Sequence, residues 1–182
     1  MNPQFTGGPG KSTLVLVATP DRIGRENLED QFAIEGVERN ISLNPSYRLI
    51  PNIKDVTRET LETLVKTNHY DRVLVVKTVP GTWKTGEHSY YQDYYSVVAS
   101  GIMPSMYDYW GTTITTVYSP TDPPPSLVNF SMLSIETRLY DSADASVIWS
   151  AITDVTQSRD RVDAPKAFVR TVVERMKSKH VL

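Results

Sequence analysis

Two periods of apolar and polar residues divide this chain into elements. Thr13-Leu14-Val15-Leu16-Val17-Ala18 is apolar on both sides, the pattern of a central strand. From Arg25 to Ile41 the spacing turns helical, with Leu28, Phe32, Ala33, Val37 and Ile41 on one stripe. Glu26, Glu29, Asp30, Glu35 and Glu38 fall largely outside it and read as a solvated face. Asn44-Pro45-Ser46 interrupts the pattern, and Tyr47-Arg48-Leu49-Ile50-Pro51 reads as a short second strand. Asp55 or Thr57 then caps a helix whose apolar side is Leu61, Leu64 and Val65 and whose stop is Asn68. Asp71 to Val79 returns to a strand rich in β-branched residues. Strand, helix, strand, helix, strand in succession favours parallel or mixed pairing with helices layered on a sheet.

Beyond Trp110 the strands follow one another without helices, so the sheet is expected to finish antiparallel. Thr112 to Tyr118 is the first of these, and the Pro-rich Ser119–Ser126 is a stiff connection. Leu127 to Gln157 then forms two strands joined at Asp141-Ser142-Ala143-Asp144-Ala145. Pairing Tyr140 with Ser146 puts Leu133, Ile135, Leu139, Val147, Trp149 and Ala151 on the core side. The other side holds Ser134, Glu136, Arg138, Tyr140, Ser146 and Ser150, with Met132, Ile148 and Ile152, and reads as partly wet. Asp163 and Pro165 open a last helix with the stripe Phe168, Val169, Val172, Val173, Met176. The expected fold is therefore α/β (α+β): a mixed sheet with a βαβαβ first half, an antiparallel hairpin in the second half, helices packed on it and a C-terminal helix. Residues 1–12 form a flexible lead-in, and residues 13–182 form one domain carrying an insert at 80–110.

That insert breaks the pattern. It holds six of the ten tyrosines (Tyr90, Tyr91, Tyr94, Tyr95, Tyr107 and Tyr109) and two of the three tryptophans, Trp83 and Trp110. Tyr90, Tyr91, Tyr94 and Tyr95 have helical spacing, which allows a helix over Ser89–Ser100. Tyrosine joins a broad apolar ring to a hydroxyl that tolerates water, so the insert reads either as a docking surface or as cover for a sheet edge. In the first case Tyr90, Tyr91, Tyr94, Tyr95, Tyr107, Tyr109 and Trp110 are the partner-binding residues.

Composition narrows the function classes. A net charge of −2 with scattered Lys and Arg lacks the basic stripe of a nucleic-acid binder. The short cluster Arg170, Arg175, Lys177, Lys179 suits a helix C-terminus. No cysteine is present, which removes disulfides, thiolate catalysis and cysteine-ligated metals. Leu14 to Ala18 is too short for a signal-peptide core or a membrane span, so the chain is expected to be cytosolic or the mature part of an exported protein.

Candidate chemistry is sparse. Gly10-Lys11-Ser12 imitates a phosphate-binding loop, but Phe5 stands where that loop needs glycine, and a strand rather than a helix follows. His69, His88 and His180 share no metal-ligand spacing, and no Gly-x-Ser-x-Gly elbow occurs, so neither a metal, a cofactor nor a catalytic residue is expected. His69 suits a helix-to-strand turn, and His180 lies in a frayable tail. Asp21 reads as a turn residue. Glu136 and Arg138 share one strand face near Tyr140, where they either bind a polar ligand group or pair across strands.

Ser134-Ile135-Glu136-Thr137-Arg138-Leu139-Tyr140-Asp141 followed by Val147-Ile148-Trp149-Ser150 resembles the hallmark of a family of small bacterial envelope lipoproteins of unknown function, the DUF4136-like proteins. Asp71-Arg72-Val73-Leu74-Val75, Pro80-Gly81 and the tyrosines from Tyr90 to Tyr95 resemble that family's earlier signature. Its domain is similar to the amino-terminal α/β domain of TolB and to the curli-secretion lipoprotein domain. The resemblance implies a non-enzymatic domain in the periplasm, tethered to the outer membrane by an N-terminal lipid, that binds or scaffolds envelope components. A chain without a leader would be cytoplasmic. The partner would be an envelope protein or, as the alternative, peptidoglycan or another glycan; an enzyme with an unrecognised site is the third reading.

Overall fold

The computed structural model describes residues 5, 7–79, 131–157 and 164–182. Its elements are β1 (Thr13–Ala18), α1 (Arg22–Glu38), β2 (Leu43–Pro45), α2 (Arg58–Thr67), β3 (Arg72–Val79), β4 (Ser131–Asp141), β5 (Val147–Gln157) and α3 (Ala164–Ser178). Five strands form one sheet in the order β2-β1-β3-β4-β5. β1 is parallel to both β2 and β3, whereas β4 runs antiparallel to β3 and to β5. The mixed α/β architecture expected from the periodicities is the one observed. The expected strand Thr112–Tyr118, the expected helix Ser89–Ser100 and the Asp163 cap lie outside the described residues.

Every residue of β1 is buried, as its two-sided apolar pattern requires. Val15, Val17, Leu74, Val76 and Leu139 face one way, into a core with Phe32 of α1 and Phe168, Val169, Val172, Val173 and Met176 of α3. Leu14, Leu16, Val73, Val75 and Tyr140 face the other way, against Leu61 and Val65 of α2. The sheet is thus a middle layer, with α1 and α3 on one side and α2 on the other.

Two sequence expectations are corrected. The second strand is Leu43–Pro45, not Tyr47–Pro51, and Ser46–Arg48 is a short 3-10 turn. Proline is tolerated in β2 because, among the described residues, this strand pairs only with β1. In the hairpin, Tyr140 stands opposite Val147 rather than Ser146, and Leu139 opposite Trp149, which leaves Ile148 as an irregular extra residue. Val147 therefore turns to the α2 side with Tyr140, while Ile148 joins Trp149 on the α1 and α3 side. Past that point Ile135, Leu139, Trp149 and Ala151 lie on the core side, as the alternation predicts. The loop itself is as expected: the Asp141 amide donates to the Ser146 carbonyl at 2.9 Å, and Asp144 accepts from the Ser146 amide at 2.9 Å.

The three described α-helices stop the same way. Asn40, His69 and His180 have φ of 58°, 54° and 55°, the left-handed conformation that follows a helix C-cap. The next amide reaches back each time, from Ile41 to Gly36, from Tyr70 to Val65 and from Val181 to Met176, at 2.9, 3.1 and 3.3 Å. His69 thus has the turn role its position suggested. His180 does not lie in a frayed tail, because Val181 and Leu182 are buried in the α1 and α3 core. Histidine carries a steric cost at positive φ that glycine lacks. His69→Gly is expected to raise stability by about 0.5–1 kcal/mol, read as a higher urea midpoint at unchanged slope; a lower midpoint would contradict this account of the turn.

At the end of α1, Gly36 is buried, and a Cβ added there would lie 2.6 Å from the Ile41 carbonyl oxygen and 3.1 Å from Leu43 Cγ. Only a bare backbone lets the helix approach β2 this closely.

Candidate functional site

β4 places Glu136, Arg138 and Tyr140 on one face, two residues apart, as strand geometry dictates. Register sets Lys77 of β3 directly opposite Glu136. Glu136 Oε1 accepts from Arg138 Nε at 2.7 Å, and Glu136 Oε2 lies 3.2 Å from Lys77 Nζ. The face was expected to be partly wet. Ser134, Ser146, Ser150 and Ile152 on it are half-buried, but Glu136, Arg138 and Tyr140 are interior, exposed by only 2%, 5% and 0%. Both carboxylate oxygens of Glu136 are engaged by cations, so the group is built to hold charge in place rather than to accept a proton from a ligand. Burial pushes the Lys77 ammonium below its usual range, partly offset by Glu136. Burial likewise pushes the Tyr140 hydroxyl up, with Arg138 opposing it.

A second buried charged cluster lies on α1, where the sequence pattern suggested solvent. Arg25 and Glu29 are an i, i+4 pair, exposed by 1% and 0%. Glu29 Oε1 accepts from Arg25 Nε at 3.0 Å, the Val17 amide at 2.9 Å and Ser46 Oγ at 2.9 Å, while Oε2 accepts from the Tyr47 amide at 2.8 Å. Arg25 Nη2 also donates to Ser46 Oγ at 2.8 Å. The cluster ties α1 to the end of β1 and to the turn after β2. It also explains why Ser46 and Tyr47 leave the sheet: their donors are recruited by Glu29. Glu35 is buried too and pairs with Arg39. Meanwhile Ile23, Ile34 and Val37 point outward. Asp21 proves to be the helix cap, its Oδ1 accepting from the Ile23 amide at 3.1 Å.

Beside this cluster, past the carboxyl end of β1, lies a cavity of about 290 Å³ walled by Thr19, Pro20, Arg22, Arg25, Asn52 and Ile53. Its charged walls are already committed, Arg22 to Glu26 at 2.7 Å and Arg25 to Glu29. The segment imitating a phosphate-binding loop is committed as well. The Lys11 and Ser12 amides donate to Asp71 at 2.7 and 2.9 Å, so they already face an anion of the protein itself. Among the described residues no group of His, Cys, Asp and Glu is placed to hold a metal ion. Nor is any described helix long and apolar enough to cross a membrane. Tyr90, Tyr91, Tyr94, Tyr95, Tyr107, Tyr109 and Trp110 lie outside the described residues.

Sequence reasoning found the Glu136 and Arg138 face but missed Arg25 and Glu29. A signal was present: Arg25, Glu29, Phe32 and Gly36 share a helical stripe that competes with the apolar one. Hydropathy favoured the wrong stripe because it scores a paired charge as though it were bare.

The fold and these interior charged clusters define the class, an α/β domain whose described strands make two parallel and two antiparallel pairings. No protein-family model matches the chain, and no curated protein does. Among solved structures the chain is similar to the lipoprotein GNA1162 from Neisseria meningitidis, at 16% identity over 92% of this chain and 98% of that one, with a TM-score of 0.48. It is also similar to PelC from Paraburkholderia phytofirmans, described as a dodecamer, at 13% identity over 92% of each chain, with a TM-score of 0.45. The hypothetical protein CT253 from Chlamydia trachomatis is similar at 11% identity, over 92% of this chain and 96% of that one, with a TM-score of 0.43.

Proposed function

We propose that this chain is the folded domain of a bacterial envelope lipoprotein of the DUF4136-like kind, related to the TolB amino-terminal and curli-secretion domains. In this reading it is non-enzymatic, sits in the periplasm on an N-terminal lipid anchor at the outer membrane, and binds or scaffolds other envelope components. The observation that carries the reading is the hairpin. The residues that bear the family resemblance, Glu136, Leu139, Tyr140, Asp141 and Trp149, lie on two paired strands, with Trp149 turned inward toward α3. The carboxylates of Glu29 and Glu136 are engaged by Arg25 and Arg138 in holding the fold, which supports the non-enzymatic part of the reading.

Partner contact runs through the aromatic insert, with Tyr90, Tyr91, Tyr94, Tyr95, Tyr107, Tyr109 and Trp110 burying their rings against an envelope protein. Tyr91→Ala with Tyr95→Ala is expected to reduce crosslinking to the partner in envelope extracts at least about tenfold, with an unchanged circular dichroism spectrum. Undiminished crosslinking would remove the insert from the binding surface. If the wild-type chain instead sediments with purified cell wall and the variant does not, the ligand is peptidoglycan. The compartment is tested separately by the codons upstream in the native gene: a leader ending at a lipid-acceptor cysteine is expected, and its absence would overturn the anchor.

A further inference from the structure

Residues 7–12 lead into β1 and are held by Asp71 and Arg72, where β3 begins. The Asp71 carboxylate accepts the Lys11 and Ser12 amides at 2.7 and 2.9 Å. In return the Ser12 carbonyl accepts from the Asp71 and Arg72 amides at 3.1 and 3.3 Å. Arg72 Nη2 donates to the Gly8 carbonyl at 3.2 Å, and its guanidinium lies 5.3 Å from the centre of the Phe5 ring. The same two residues grip the hairpin loop. The Asp71 carbonyl accepts from the Ser142 amide at 3.2 Å, and Arg72 Nη1 donates to Asp141 Oδ2 at 3.1 Å. Asp141 Oδ1 accepts from the Ala143 amide at 3.0 Å, so the carboxylate that meets Arg72 also shapes the turn. Arg72 is 8% exposed, where salt and water screen its pairing less than at a surface.

We infer that residues 7–12 form a strap, latched by Asp71, whose docking on Arg72 orders the hairpin loop at 141–146. The two segments loosen together. The coupling has a physical source: a guanidinium already held by Gly8 loses less freedom on pairing with Asp141, and one released from the strap loses more. Gly10 is the point of closest approach, since a Cβ there would lie 2.5 Å from Arg72 Cγ. The strap therefore seats only on bare backbone. This gives the imitation of a phosphate-binding loop a role, because its amides take a carboxylate of the protein and pass to the hairpin whatever acts on the chain ahead of them. The strap does not rest on the envelope reading and survives its failure.

Amide hydrogen exchange in the full chain, followed residue by residue, tests the coupling. In the wild type the Lys11 and Ser12 amides are expected to exchange at least about tenfold more slowly than in an unstructured chain. Gly10→Ala changes no residue of a strand. It is expected to speed exchange about tenfold at Lys11 and Ser12 and, through Arg72, severalfold at Ser142 and Ala143. Asp141→Ala is expected to act in the opposite direction along the same path, speeding exchange at Lys11 and Ser12 from the hairpin side. Ser142→Ala keeps the Ser142 amide and should change neither segment. Val15 and Leu74, in the buried middle of the sheet, should keep their rates in every variant, which separates release of the strap from unfolding. Fast exchange at Lys11 and Ser12 in the wild type overturns the inference. So does a Gly10→Ala protein with unchanged rates at Ser142 and Ala143, or an Asp141→Ala protein with unchanged rates at Lys11 and Ser12.

Discussion

Glu29→Ala is expected to lower the unfolding free energy by about 3–5 kcal/mol, the usual cost of stripping one partner from a buried ion pair. The loss extends beyond the pair. Glu29 accepts from Arg25, the Val17 amide, Ser46 and the Tyr47 amide, so the substitution leaves a buried guanidinium and two interior amides without their acceptor. The urea midpoint should fall while the slope holds, since the surface exposed on unfolding hardly changes. Glu29→Leu combined with Arg25→Met should recover part of the loss, because removing both charges abolishes the desolvation cost that breaking one exposes. It should not recover all of it, because the Val17 and Tyr47 amides still lack a partner. A loss below about 1 kcal/mol for the single change would mean that water replaces the carboxylate, which the complete burial of Glu29 argues against.

Trp149→Ala is expected to cost about 3–5 kcal/mol, the range for deleting a large aromatic from a core. Trp149 is 6% exposed, stands opposite Leu139 and belongs to the cluster that holds Phe168, Val172 and Met176 of α3. Truncation would open a void where β5 meets the last helix. Trp149→Phe keeps most of the apolar area and should lose roughly half as much. Thermal unfolding followed by circular dichroism is the suitable readout, since Trp83 and Trp110 also fluoresce. Equal losses for the two variants would show that the site collapses around a smaller side chain.

Much of this architecture was legible because single elements obey one period. β1 is apolar throughout and is wholly buried, and the α3 stripe from Phe168 to Met176 is the stripe observed. Thr57 caps α2 as its type and place suggested, its hydroxyl accepting from the Thr60 amide at 3.1 Å. What was illegible depended on contacts between elements. Nothing local to Ser46 and Tyr47 says that a carboxylate from α1 will claim them, so the local pattern alone puts the second strand a few residues late. The hairpin register slipped for a related reason: alternation is blind to an extra residue, and Ile148 was assigned the face that Val147 takes. Of the candidate site, Glu136, Arg138 and Tyr140 were found as a set because strand parity fixes their common face. Their burial was missed, since charge in a strand usually marks the wet side.

Gly36 carries a consequence for how this chain can vary. A single methyl there would collide with the carbonyl that follows the helix, so the position is closed to every side chain while α1 keeps its present distance from β2. Any relative bearing alanine or serine at this place must seat its first helix farther out. The gap opened above Leu43 would then have to be filled by a larger neighbour, making the two positions change together or not at all.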